Sequence, residues 1–266
     1  MYKNELSVII SKELQRLLEL QNDENWQKPR DISHYKIVER EYSFGKRKCL
    51  VYSGDDNELY EDLQTSRGLS FEDESHGEVH EFCKRIDEKS DVLRSVDVDR
   101  MKLLEELARE FDIISTVDNF VELGFRQVSL LRYAQEHFNL KSIGYDVSFL
   151  NVMVGKYLGY DARKYDLNAC DKCLNLPKKS LIISYQCFEH LSDPLKAIQK
   201  VYDSMDDDSL FHIEVPVESR DVPNIRYAHM FAFHMGDLRC MLEDVGFKVM
   251  SSVKIRNDDD TFLVRK

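Results

Sequence analysis

From residue 97 onward the chain alternates between two hydrophobic periods, and this constrains its fold more than any other feature. Short apolar runs suited to strands cover 119–123, 142–145, 181–184 and 210–215, with a weaker run at 162–165. Between them lie segments of helical spacing at 127–138, 148–157 and 194–205, and a last helix is expected at 236–245. Strands alternating with helices predict a parallel sheet covered on both faces. Two final runs, 247–255 and 261–264, are separated only by the turn-forming residues around Asn257–Asp260. So short a connection lets them pair only as a hairpin, so one must run antiparallel to the sheet.

The first third of the chain reads differently. Leu6, Ile10, Leu14, Leu17 and Leu18 mark a helix over 4–20. Residues 35–42 and 48–53 flank Phe44-Gly45-Lys46-Arg47 and predict a β-hairpin. Residues 54–78 are acidic and turn-rich, expected as a solvated loop or lid, and a helix is expected over 78–90. Met101, Leu104, Leu107 and Phe111 form another helical stripe, with Asp97 or Asp99 as its expected N-cap. The expected division is residues 1–96 as a helix-and-hairpin extension and 97–266 as the α/β domain.

Composition narrows the partners. The 49 Asp and Glu outnumber 37 Lys and Arg, for a net charge of −12. That field opposes nucleic-acid backbones and anionic membrane surfaces. No apolar run approaches the ~20 residues of a membrane helix, and residues 1–20 lack the pattern of a secretion signal. Six scattered cysteines suit a reducing, cytoplasmic setting. Cys170 and Cys173 are spaced as a zinc pair, but no second pair accompanies them. His76 and His80 lack the Glu that a metalloprotease helix needs after its first His. No metal site is expected.

The candidate site residues fall at the ends of the expected strands. Glu122-Leu123-Gly124 closes the first, where a glycine permits a tight turn toward a ligand. Asp146 closes the second, where a carboxylate can accept hydrogen bonds from a ribose diol, or cap the next helix in competition with Ser148. Asp166-Leu167-Asn168 follows the third, with Asp171 as a competing acid. Gln186-Cys187-Phe188-Glu189-His190-Leu191-Ser192-Asp193-Pro194 follows the fourth. Ser192 or Asp193 with Pro194 makes a good helix start, but a helix start does not account for Glu-His. Glu214-Val215-Pro216 ends the fifth strand, and His229 through Gly236 contains two histidines among aromatic residues.

Taken with the terminal hairpin, these residues resemble a class I S-adenosylmethionine-dependent methyltransferase acting on small molecules, distantly like the sugar methyltransferases. The resemblance implies an α/β, Rossmann-like sheet, mostly parallel, with a C-terminal antiparallel hairpin. It implies S-adenosylmethionine as cofactor, held by Glu122, Gly124, Asp146, Asp166, Leu167, Gln186, Phe188, Glu189 and His190. Asp166 would meet the adenine amine and Leu167 its ring. His229 would serve as base, Glu214 would orient it or bind a substrate hydroxyl, and His234 is the reserve candidate. The implied substrate is a small polar metabolite, such as a sugar or sugar nucleotide.

The sequence departs from that family at two points. Arg126 and Val128 stand where its next two glycines fall, which motivates the alternative of a catalytically degenerate binding or scaffold protein. The four-cysteine zinc module of the sugar C-methyltransferases is absent, since only Cys49 and Cys83 precede residue 169. Residues 1–96 are expected to cover the substrate pocket or to make a homodimer contact.

Overall fold

A computed structural model describes residues 2–21, 35–52, 95–168, 173–219, 229–252 and 259–266. The expectations for 54–78 and 78–90, and those resting on His76, His80, Cys83, Cys170 and Asp171, lie outside these residues.

The apolar runs form a seven-stranded sheet. Its strands are β3 (Asn119–Leu123), β4 (Lys141–Asp146), β5 (Asp161–Lys164), β6 (Ser180–Tyr185), β7 (Leu210–Pro216), β8 (Lys248–Ser252) and β9 (Asp259–Arg265). The spatial order is β5-β4-β3-β6-β7-β9-β8. The pairings from β5 through to β7 are parallel. β9 lies between β7 and β8 and pairs antiparallel with both; its pairing with β8 is the one that so short a stretch of sequence between them demands. This is the expected α/β sheet, mostly parallel with a C-terminal antiparallel hairpin. The chain order reverses direction between β3 and β6, so their C-terminal ends open a crevice at a topological switch point.

Every residue of β6 is buried, as expected of a central strand covered on both faces. Leu181, Ile183 and Tyr185 face one apolar cluster and Ile182 faces the other, following the two-residue period of a strand. The first cluster receives α2 (Ser95–Glu110), α4 (Ser129–Phe138) and α5 (Phe149–Tyr157), while the second receives α6 (Pro194–Ser204) and α7 (Asp237–Val245). A short helix, α3 (Ile113–Thr116), links α2 to the sheet. Helix α2 begins at Ser95, so Asp97 and Asp99 lie inside it and neither is its N-cap. Ser148 caps α5, its Oγ accepting from the Asn151 N–H at 3.0 Å. Asp193 caps α6, with Pro194 next to it.

The N-terminal elements join the same body. Helix α1 (Tyr2–Gln21) packs on α5, and its Leu6 and Ile10 belong to the first apolar cluster. Strands β1 (Tyr35–Tyr42) and β2 (Gly45–Tyr52) form the expected hairpin, with a tighter turn than expected: Tyr42 pairs with Gly45 across Ser43-Phe44. Gly45 takes a φ of +112°, a conformation glycine adopts without penalty. The hairpin docks through Tyr42 and Cys49, which enter the second cluster. Its Leu50 N–H donates to the Met230 carbonyl at 2.8 Å. Arg47 grips Asp237 with two nitrogens, at 2.7 and 2.6 Å, and Arg40 donates to Asp193 at 2.8 Å.

Candidate active site

The crevice is built where β3 and β6 end. Gly124 turns the chain after β3 with a φ of +78°, its N–H donating to the Tyr145 carbonyl at 2.7 Å. A Cβ there would stand 2.7 Å from Cys187 Sγ, so glycine lets the two strand ends approach. Arg126 holds a φ of +30°, a region of backbone space that favours glycine. Its side chain is exposed, and Val128 is buried beneath the loop.

Asp146 sits at the end of β4, beside this loop. Oδ2 accepts the Arg126 backbone N–H at 3.0 Å, and Oδ1 accepts the Ser148 N–H at 2.8 Å. Burial raises its pKa, opposed by those two hydrogen bonds and by the Arg126 charge. Oδ2 therefore ties the loop after β3 to β4, Oδ1 holds the start of α5, and the Asn151 side chain is a third hydrogen-bond partner of the carboxylate. Asp166 and Leu167 follow β5 in a turn closed by Asp166 Oδ1 and the Asn168 N–H, 2.8 Å apart. Asn168 then accepts from the Ser192 N–H at 3.0 Å, so the loop after β5 reaches the loop after β6. Cys187 lies at Gly124, and Cys173 is exposed.

The loop after β6 divides its residues between core and crevice. Gln186 carries a φ of +52°. Its Nε2 donates to Glu214 Oε1 at 3.2 Å and to Asp259 Oδ1 at 3.4 Å. Phe188 is fully buried against Phe211 and is a core residue. Glu189 is only 1 % exposed, and among the described residues its Oε2 has no hydrogen-bond partner. Burial pushes its carboxyl up to about 8, with Glu214 and Asp259 adding to the shift and Arg100 opposing it.

His229 lies beside Glu189 and His190. The Met230 and Phe231 N–H groups donate to the Glu189 carbonyl at 2.7 and 3.1 Å, which fastens this segment to the loop after β6. The His190 and His229 rings meet edge-on with centroids 5.3 Å apart. Glu218, not Glu214, orients His229: its Oε1 bonds Nδ1. Glu214 is instead engaged by the guanidinium of Arg100, a buried residue of α2 that also lies over the Tyr185 ring at 4.9 Å. His234 belongs to the turn before α7, where its N–H donates to Asp237 Oδ2 at 3.1 Å. Glu122 is buried at the end of β3.

Two participants, Arg100 and Glu218, escape the sequence reading. Arg100 does leave a trace, since it occupies the helical position before Leu104 and Leu107 on the same stripe. Glu218 leaves none, because its partner is eleven residues away in sequence.

No protein-family model matches this chain, and no curated protein matches it in sequence. Solved structures do match it. A SAM dependent methyltransferase from Archaeoglobus fulgidus aligns at a TM-score of 0.47 and 16 % identity, covering 62 % of this chain and 94 % of that one. An S-adenosylmethionine dependent methyltransferase from Mesorhizobium loti aligns at 0.47 and 14 %, covering 61 % and 100 %. A SAM dependent methyltransferase from Aquifex aeolicus aligns at 0.43 and 19 %, covering 62 % and 96 %. The fold itself is defined by the strand order and by the antiparallel β9.

Proposed function

We propose that the protein transfers a methyl group from S-adenosylmethionine to a small polar acceptor. The observation that carries this reading is the Gly124 turn at the switch point of the sheet, in a loop that Asp146 holds through the Arg126 N–H. The donors present fit an adenosyl group. Asp146 offers acceptor positions for a ribose diol, and Gly124 keeps the floor of the crevice open where a Cβ would meet Cys187. Asp166 and Leu167 stand on the adjoining loop for the adenine. When bound, the cofactor supplies a methyl group on a positive sulfonium, which departs as a neutral thioether.

The chain's own contribution is then electrostatic and positional. Glu189, Glu214 and Asp259 lie close enough to influence one another around one buried guanidinium, Arg100. A cationic ligand beside these groups would favour the ionised form of Glu189, which burial otherwise disfavours. On the acceptor side, His229 is the group set to act, held by Glu218 and by the fastening of residues 230–231 to Glu189. The β1–β2 hairpin backs this segment through Leu50, which supports a covering role for residues 1–96.

Isothermal titration with S-adenosylhomocysteine tests the reading. The protein should bind it, and Asp146→Ala should weaken binding by about 1–3 kcal/mol, the value of a hydrogen bond to a charged acceptor. No binding by the folded wild-type protein would refute the proposal.

A further inference from the structure

Glu189, His190 and His229 each present one ligand atom, and these three atoms lie within 4.8 Å of one another. We infer that they form a divalent transition-metal site, with two imidazoles and one carboxylate as protein ligands and its remaining positions open to the acceptor.

Four observations carry this. First, the three ligand atoms converge within 4.8 Å, and His190 Nε2 stands 3.8 Å from Glu189 Oε1, beyond hydrogen-bond distance. Second, the Glu189 carboxyl is buried, and its Oε2 has no partner among the described residues. Burying a carboxylate is costly without a cation, and the guanidinium of Arg100 is already engaged by Glu214. Third, Glu218 holds His229 by Nδ1, which makes Nε2 the ligand nitrogen. A carboxylate behind a histidine is the usual support of a metal-bound imidazole, since it fixes tautomer and ring orientation. Fourth, the backbone around the trio is pinned, because the Met230 and Phe231 N–H groups both bond the Glu189 carbonyl.

The donor set selects the ion class. Two imidazoles favour zinc, iron, nickel or copper over magnesium or calcium, and one carboxylate is compatible with all of these. A zinc ion here would take ligand distances of about 2.0–2.1 Å. Three protein ligands leave coordination positions open, the pattern of a reactive site and not of a closed structural one.

The role of the ion rests on the methyl-transfer reading. An acceptor hydroxyl coordinated here would be acidified and would release its proton to solvent water. Its oxygen lone pair would form the new O–CH3 bond while the S–CH3 bond breaks, its electrons passing to sulfur. His229 is then a ligand, not the base. The acceptor class is a small molecule with a metal-binding hydroxyl, such as a vicinal diol or a hydroxyl beside a carbonyl.

The test uses the full chain without a histidine tag, stripped with a chelator and titrated with Co2+, whose visible d–d absorption reports coordination. One equivalent should bind. Glu189→Gln and His229→Ala should each abolish the absorption band, and Glu218→Gln should weaken affinity about tenfold or more. Circular dichroism of each variant checks that it is folded. His190→Gln provides a second ligand test that leaves the Glu218 bond in place. No binding, or a band that survives both Glu189→Gln and His190→Gln, would overturn the site. Titration of the metal-free protein with S-adenosylhomocysteine separates this outcome from failure of the methyl-transfer reading.

Discussion

Gly124 shows how much a single position decides. Its φ of +78° and the 2.7 Å that would separate an added Cβ from Cys187 Sγ act together. Gly124→Ala should destabilise the protein by about 1–3 kcal/mol, from strain and overpacking combined. Adding Cys187→Ala should recover only the packing part, because the torsional penalty remains; urea unfolding of the wild type and of Gly124→Ala with and without Cys187→Ala measures both. His212 is a second case. It is buried on β7, its Nδ1 is 2.6 Å from the Tyr185 hydroxyl, and burial holds its pKa near 3. Unfolded, the ring returns to about 6.5. The unfolded chain therefore binds the extra proton between those values, so the contribution to stability is complete above 6.5 and is lost as pH falls toward 3. The slope approaches about 1.4 kcal/mol per pH unit. His212→Asn should flatten that acid limb in urea titrations run at several pH values. The strand-end residues of this scale were legible because a strand end is a sequence feature. Glu218 and the Arg100–Glu214 pair were not, because contacts between separate segments of the chain bring them together.

At the scale of elements, the central strands and helices were readable from their periods, with ends displaced by a residue or two. Helix α2 starts earlier than expected, since Ser95 precedes the acids that would otherwise cap it. The docking of the β1–β2 hairpin was not readable. It depends on cross-element pairs, Arg47 with Asp237 and Arg40 with Asp193, whose partners lie some 150 residues or more away. Asp237 is nearly buried, so Arg47→Ala should leave its carboxylate without its bidentate partner. The expected cost is about 1–3 kcal/mol. It should appear as faster hydrogen exchange in β2 and in residues 229–231, with β3 and β6 unchanged. Because Leu50 bonds Met230, the same variant should also loosen His229.

At the scale of the whole molecule, the proposed function divides the C-terminal rim of one sheet between two kinds of chemistry. The β3–β4 side supplies a glycine turn and a carboxylate suited to an adenosyl group. The β6–β7 side supplies acids, two histidines and one guanidinium suited to an acceptor. The antiparallel β9 contributes Asp259 and Asp260, both buried at the same rim, and Asp260 Oδ2 accepts the Gly236 N–H at 2.9 Å ahead of α7. The net charge of −12 agrees with a crevice that favours cations. Among the described residues no helix is long and apolar enough to cross a membrane. The most direct test of the account is a crystal structure with S-adenosylhomocysteine. It should show the ribose on Asp146, the homocysteine passing Gly124, and the sulfur directed toward Glu189 and His229. An adenosyl group bound elsewhere, or the Arg126 side chain filling the crevice with Asp146 turned away, would contradict it.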